Sequence, residues 1–480
     1  MKIVILGGSA AGMFASLILA RAGHEILLLE RDVMEVAPDV ESASSSALRM
    51  GAPQIVQPHI LMARCRELIL EHLPDIYQSL LSAGVAEASL STQMPESLSD
   101  RTIWPGDEQL ALLMTRRSTL DWVLQQAILA ERAITLRYGM KVIGLLATPG
   151  KPPRVTGVHT NQGNFPSDLV VDATGYRSPI DRWLLEIGAQ PTAVRRAKCG
   201  IAYFSRHYRL RQGVKLPGLS TTRLLAGLDE FTVGIWGADN GTMQMAVAPL
   251  AMDHRFRTLK DPRVFTAVLR TIPTYAAWLD VLAPISDVFP MGGVHNTLRR
   301  LICNNSPVVT GLHGIGDSVC TTNPTLGRGL SLALSSVLSL REIIEAFCDD
   351  WTGQALAFDR FVTQHVQPYY EDQAIIDGAR LAMLRYTIFG GPAPHPLQVP
   401  CNQVTFSQLR TAAAVDPVAF RAFWKVLGMI EKPLDIYSDA QVVGRTQEVL
   451  LQYGRRPSIS QPSRGQLLAA LAPQPTAFKV

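Results

Sequence analysis

The chain of 480 residues lacks most of the features that assign a protein quickly. No apolar run reaches the roughly 18–20 uninterrupted residues that cross a bilayer, so no transmembrane segment is expected. Charge of one sign is scarce: 45 Lys and Arg against 41 Asp and Glu leave a formal charge of +4. The arginines are scattered and often followed by acids, which excludes the basic patch of a nucleic-acid binder. Cys65, Cys199, Cys303, Cys320, Cys348 and Cys401 are widely spaced, with no C-x-x-C pair and no neighbouring histidine. That excludes a disulfide framework and structural zinc, and it predicts a reducing, cytoplasmic setting. His207, His295 and His313 have no partners at metal-ligand spacing and are read as structural, so no metal is expected. There is no G-x-S-x-G elbow and no paired carboxylate motif, which sets aside a Ser-His-Asp hydrolase. Internal repeats are absent, and the only biased tract is SASSSA near residue 44.

What is present suits a folded enzyme of two or three domains: 47% hydrophobic residues and only 18% charged. The opening MKIVILGGSAAGMFASLILARAGHEILLLERD has two readings, a cleaved secretion signal or the start of a nucleotide-binding fold. Ile3 to Leu6 is a short apolar run bounded by glycine, as in a buried parallel strand. Gly7, Gly8, Ser9, Ala10, Ala11 and Gly12 form the turn, a small-residue helix follows to Ala22, and Gly23 stops it. A second apolar run ends in Glu30, with Arg31 beside it. Strand, glycine turn, helix and a strand ending in an acid make a dinucleotide-binding unit. Gly7 permits the tight turn and Gly12 lets helix and strand pack closely. The helix start faces a pyrophosphate, and Glu30 accepts from a ribose hydroxyl. A secretion signal leaves Glu30 unexplained, so the second reading stands.

Two later landmarks extend the pattern. DLVVDATGYRSPIDRWL, from Asp168, reads as strand, glycine turn and helix. PVVTGLHGIGDSVCTTNPTLGRGLSLALSS reads as a strand leading to Gly316-Asp317, a loop with Pro324, then Gly327 and Gly329 before a long helix. The ordered set G-G-S-x-A-G, D-A-T-G and G-D resembles the FAD-dependent monooxygenases of the para-hydroxybenzoate hydroxylase type over roughly residues 1 to 345. The resemblance implies FAD as cofactor, with Asp317 on its ribityl chain. It also implies Gly329 and Leu330 N–H groups toward flavin N1 and the C2 carbonyl, and Pro324 on the reacting face.

RMGAPQIVQPHILM, TRRSTLDWVL and CGIAYFSRHYRL are similar to the branch that includes the polyether epoxidases. That likeness implies that Arg49, Gln54, His59 and Arg117 lie beside the FAD. The loop T-T-N-P-T-L-G-R-G-L and a longer spacing after Gln54 depart from the branch, so its substrate class is not carried over. Arg117 is read either as a solvated arginine or as a pyrophosphate contact, with Arg116 structural. His59 is a core histidine, a flavin contact or a covalent tether. Cys320 is a packed loop residue or a reactive thiol.

The expected fold is α/β: a glutathione-reductase-like FAD-binding Rossmann domain, an inserted antiparallel substrate sheet and a helical C-terminal region. The FAD domain takes 1–75, 105–185 and 291–345, and the substrate domain takes 76–104 and 186–290. Residues 346–480 form the helical region, with a break near Pro368 and two or three further helices after the loop GGPAPHPLQVP. It is either a cap over the active site or a dimer surface. ADNG marks a hairpin. Tyr203, Phe204, Trp236 and Met245 line the cavity or fill the packed face of the sheet.

The resemblance implies a monooxygenase of secondary metabolism. It would pass one oxygen atom from O2 to a small apolar organic substrate through a flavin C4a-hydroperoxide, by epoxidation or hydroxylation. No second nucleotide-binding unit is visible, so NAD(P)H binds transiently or delivers electrons through a flavin reductase. The W-x-W-x-I-P segment of flavin halogenases is absent. A dehydrogenase or reductase on a lipid-like substrate and a non-catalytic flavoprotein are the remaining alternatives.

Overall fold

The computed structural model of the chain describes residues 1–49, 51–215, 223–453 and 460–472. Strand Lys2–Leu6 lies at the centre of a five-stranded parallel sheet. It pairs with Glu25–Leu29 on one side and Leu169–Asp172 on the other, and Ile134–Arg137 and Leu312–Gly314 form the edges. The three inner strands are nearly continuous apolar runs because both faces of the sheet are covered there, whereas the edge strand Ile134–Arg137 alternates half-buried and exposed residues. Ile3 and Ile5 enter the core shared with helices Ala10–Arg21, Arg117–Ala130 and Gly329–Phe347. Val4 and Leu6 enter the opposite core, under the antiparallel sheet of Val142–Thr148, Arg154–Thr160 and Gly163–Pro166. Helix Ala10–Arg21 is apolar on every side because it is buried almost all round.

A second, six-stranded antiparallel sheet contains Arg223–Gly227, Phe231–Gly237, Thr242–Pro249, Tyr203–Leu210, Leu282–Pro284 and Phe289–Met291. The ADNG turn joins two of these strands, and Asn240 takes a left-handed φ of 53° there. Strand periodicity divides the sheet's residues between its two faces, with Val233 of the packed face also reaching the cavity. Phe231, Val233, Ile235, Met243, Met245 and Val247 pack against helices Pro262–Arg270 and Pro273–Val281. The alternate residues Thr232, Gly234, Trp236, Ala246 and Ala248 line a cavity on the other face. Of the four aromatic and Met candidates, Tyr203 and Trp236 reach the cavity, while Phe204 and Met245 fill the core. Strand Ala193–Lys198 leaves this sheet and pairs with His295–Arg300, which continues to Cys320–Thr321.

The segment 76–104 divides between two cores. Ile76, Tyr77 and Leu80 of the amphipathic helix Pro74–Ser82 pack into the dinucleotide-type core with Val85, not with the substrate sheet. Leu90, Met94 and Leu98 pack instead against Phe420, Trp424 and Leu427.

The C-terminal region also differs from expectation. Helix Trp351–Phe361 runs through a π-helical turn at Val362–Val366 into helix Gln367–Phe389, with no break at Pro368. The proline stands at the first turn after the π-turn, where the hydrogen-bond register has already shifted and its missing N–H costs little. Among the described residues five helices follow instead of two or three: Phe406–Ala412, Pro417–Gly428, Pro433–Tyr437, Ala440–Tyr453 and Arg464–Leu471. The first four share a core of their own, and the last packs under the six-stranded sheet.

Candidate functional site

A continuous cavity of about 2050 Å³ runs from the first glycine turn to the face of the six-stranded sheet opposite its packed helices. Single small-molecule pockets occupy roughly 300–1,000 Å³, so this space holds more than one ligand of that size.

At one end, Gly7 adopts φ +100°, and a Cβ there would stand 2.7 Å from the Ala173 carbonyl oxygen. A Cβ on Gly12 would stand 1.8 Å from the Gly7 carbonyl oxygen, so the helix approaches its own turn too closely for any side chain. Gly7, Ser9 and Ala11 line the cavity, whereas Gly8, Ala10 and Gly12 face the protein. Ser9 occupies the N-cap position without capping: its hydroxyl accepts from Arg117 Nη2 at 2.7 Å. The first N–H groups of the helix therefore have no side-chain acceptor, which is the setting that attracts an anion.

Charged groups surround that helix start. The Glu30 carboxylate accepts from the Gly8 N–H at 2.7 Å and the Asp32 N–H at 2.8 Å, and it pairs with Arg49 Nη2 at 2.9 Å. Gly8 and Arg49 share Oε2, so Oε1 keeps a lone pair for a hydroxyl donor. Arg117 donates through Nε to Asp121 at 2.6 Å. Arg49 is buried with its Nε and Nη1 lacking hydrogen-bond partners, and Asp121 Oδ2 is equally unsatisfied. The Arg49 nitrogens meet carboxylates only at ion-pair range, Nε 3.6 Å from Asp32 Oδ2 and Nη1 4.0 Å from Asp121 Oδ2, and Arg49 borders the cavity. Gln54 also lines it, and Arg31 lies exposed at its rim.

The 3₁₀ turn Gly316–Ser318 brings the third landmark against the first: a Cβ on Gly316 would stand 3.2 Å from that of Ala11. Asp317 borders the cavity, and desolvation pushes its carboxyl up to about 6, opposed by Arg117. A Cβ on Gly329 would stand 3.9 Å from Asp317 Oδ1, which places the carboxylate at the N-terminus of the helix Gly329–Phe347. Pro324, Gly327, Gly329 and Leu330 all face the cavity. Gly327 is left-handed at φ 71°, over Met62.

His59 lines the cavity between the two ends. Its backbone N–H donates to Gln244 Oε1 at 3.1 Å, tying this segment to the six-stranded sheet. Burial pushes its imidazole down to about 4, so the ring is neutral. His207 is held down to about 4 by burial as well, and His313 packs edge-on to Phe358. Cys320 is buried outside the cavity and its thiol is raised by desolvation, which makes it a packed residue and not a reactive thiol. Arg116 is structural, bound to Asp239 and Glu41. Among the described residues no cluster of three His, Cys, Asp or Glu could hold a metal.

The sequence pattern missed a buried polar network behind Pro324. Asp377 accepts from Asn296 Nδ2 at 2.7 Å, Asn323 Nδ2 at 2.8 Å and Gln373 Nε2 at 3.0 Å. The Tyr203 hydroxyl donates to Asn323 Oδ1. Desolvation pushes the Asp377 carboxyl up to about 6 against those three bonds. Beside it, Arg328 is fully buried and binds Asp372 Oδ2 at 2.5 Å, and Tyr437 donates to Asp372 Oδ1 at 2.8 Å. The C-terminal helices thus grip the Pro324 loop and wall the chamber with Ile376, Phe406, Phe423 and Trp424. No local motif announces these residues, because, apart from Gln373 four positions from Asp377, the partners are 44 or more positions apart.

No protein-family profile matches the chain. The curated Protein Rv3254 of Mycobacterium tuberculosis is 25% identical over 474 residues, covering 92% of each chain. Among solved structures, the flavin-dependent brominase Bmp2 superposes with TM-score 0.62 at 15% identity, covering 95% of this chain and 99% of that one. PqsL of Pseudomonas aeruginosa, described as a probable FAD-dependent monooxygenase, superposes with TM-score 0.58 at 14% identity, covering 81% and 99%. A flavoprotein/dehydrogenase from Cytophaga hutchinsonii gives 0.61 at 12% identity, covering 94% and 100%. The chain therefore has the fold of the FAD-dependent monooxygenases and halogenases, a parallel dinucleotide-type sheet joined to an antiparallel sheet.

Proposed function

We propose that the chain is an FAD-dependent monooxygenase. It inserts one oxygen atom from O2 into a small, largely apolar organic substrate, by hydroxylation or epoxidation. The observation that carries this reading is the continuity of one cavity from a dinucleotide cradle to an apolar chamber.

The residues at the cradle fit FAD. The uncapped start of helix Ala10–Arg21, with the Arg117 guanidinium and the orphaned Arg49 nitrogens, suits a pyrophosphate. Glu30 suits a ribose hydroxyl. Asp317 suits ribityl hydroxyls, whose hydrogen bonds would offset its desolvation. The start of helix Gly329–Phe347 faces the place where a flavin pyrimidine edge would lie and favours negative charge there.

Bound FAD, once reduced, supplies the activation of O2 and an electrophilic oxygen. The protein's own part is orientation and the exclusion of water. Trp236, Phe406, Phe423 and Trp424 make the chamber apolar, and the Asp377 network holds the Pro324 loop in place. Electrons come from NAD(P)H, directly or through a flavin reductase, and the reading places the enzyme in the cytoplasm.

The test is the visible spectrum of the purified protein after addition of FAD, with NADPH and O2 supplied and peroxide release followed. One tightly bound FAD per chain, oxidised again by air, supports the reading. Failure to bind FAD overturns it. Bound flavin that reduces a substrate but never incorporates oxygen would favour a dehydrogenase.

A further inference from the structure

Among the polar groups that line the chamber is Arg380 of helix Gln367–Phe389. Only one nitrogen of its guanidinium is engaged. Nη2 donates to the Leu228 carbonyl at 2.7 Å, the Phe231 carbonyl at 3.0 Å and the Thr232 hydroxyl at 3.3 Å. Nε and Nη1 make no hydrogen bond to any described residue, and Arg380 forms no ion pair with any described carboxylate.

The acids around it are committed elsewhere. Asp372 is bound to Arg328 and Tyr437, and Asp377 to three amide donors. Asp229, on the neighbouring hairpin, accepts from Gln461 Nε2 at 2.7 Å, and Glu230 pairs with Arg255 at 2.6 Å. Arg410 also lines the chamber and donates to the Leu225 carbonyl at 3.3 Å, so it adds positive field to the same wall. Burial pulls Arg380 down to about 10, which still leaves it charged at neutral pH. Asp229 acts on Arg380 through space but makes no ion-pair contact with it, and a bound anion would supply the contact that this desolvated cation lacks.

We propose that Arg380 is the anchor for a carboxylate on the substrate, so that the chamber takes an organic acid with an apolar body. The acid group rests against the Arg380 Nη1 and Nε donors, and the apolar body extends along Gly234, Trp236 and Phe423 toward Pro324. Arginine suits this task because its donors keep a fixed planar geometry and its charge persists at every working pH. The proposal rests on reading this cavity as the substrate chamber.

The test is isothermal calorimetry on the full-length, FAD-supplemented protein. The probes are naphthalene-2-carboxylate and decanoate, each beside its primary amide, which matches shape without charge. The acid is expected to bind on the order of 10- to 100-fold more tightly than the amide, as for a charge-assisted hydrogen bond. Arg380→Met is expected to remove that preference with FAD content unchanged, and Arg380→Lys to keep part of it. Equal affinity for acid and amide in the unmodified protein, an acid preference that survives Arg380→Met, or no binding of either acid overturns the proposal. The acid–amide comparison needs no variant, so a variant that fails to fold does not remove the test. Acid binding by a chain that takes up no FAD would overturn the monooxygenase reading and leave the anion site standing.

Discussion

Arg116 and Asp239 join the two sheets through one buried carboxylate. The guanidinium donates through Nε at 2.9 Å and Nη2 at 2.5 Å, and the Arg116 backbone N–H adds a bond at 2.6 Å. Arg116 precedes helix Arg117–Ala130, while Asp239 sits in the hairpin turn of the six-stranded sheet, so the pair fixes one sheet against the other. Removing Asp239 leaves the buried Arg116 with Glu41 alone and takes away three hydrogen bonds from Arg116, so Asp239→Ala is expected to cost roughly 3 kcal/mol. Urea denaturation of the variant beside the parent checks this.

The two glycines Gly12 and Gly378 are expected to respond in opposite ways to alanine. At Gly12 the new methyl would meet the Gly7 carbonyl oxygen at 1.8 Å, so the turn must open. FAD affinity is expected to fall at least about tenfold, because the helix start that would face the pyrophosphate is pushed off its turn. Gly378 lies within helix Gln367–Phe389 with nothing within 4 Å of the added Cβ. There alanine is expected to stabilise by about 0.5–1 kcal/mol. Flavin fluorescence titration and thermal denaturation measure the two effects.

Arg117 links Ser9 at 2.7 Å to Asp121 at 2.6 Å and lines the cavity beside the helix start. Arg117→Met is expected to weaken FAD binding about 10- to 100-fold, since a bond to a charged group contributes roughly 1.5–3 kcal/mol. The salt dependence of FAD affinity should flatten with it. An affinity that stays unchanged would remove Arg117 from the pyrophosphate site.

The raised carboxyl of Asp377 makes stability depend on pH in a defined direction. In the folded chain the group titrates near 6, against 3.8 as its ordinary value, because desolvation outweighs its three hydrogen bonds. Below about pH 4 the folded and unfolded chains are both protonated at this group and it makes no difference. Between about pH 4 and 6 the unfolded chain ionises first, so stability falls as pH rises, and the loss is complete above the folded value. Asp377→Asn removes the titration. Thermal midpoints of the two proteins from pH 4 to 7.5 are expected to show the parent losing ground relative to the variant over that interval.

The parts of the site that could be read from sequence are those built from contiguous residues. The Gly7–Gly12 turn, the acid at Glu30 and the Gly316-Asp317 turn each follow from local backbone needs, and the structure gathers them at one end of the cavity. The ADNG hairpin was legible for the same reason. Asp377, Arg328 and Arg380 were not, because each acts through partners contributed by other elements and stands in an ordinary helix or loop. The division of 76–104 between two cores was hidden too. Helix Pro74–Ser82 carries a single apolar face, and nothing local says which core that face will meet. Pro368 misled because its usual effect on a helix is absorbed by the π-turn before it.

The central claim is that oxygen from O2 enters the product. The direct measurement is mass spectrometry of products formed from aromatic and alkenyl carboxylic acids by the FAD-loaded, chemically reduced protein under isotopically labelled dioxygen. Chemical reduction removes any dependence on the electron donor. The account predicts a product carrying one labelled oxygen atom, formed only when FAD is bound. A product without the label, whether desaturated, reduced or halogenated when bromide is supplied, would contradict it.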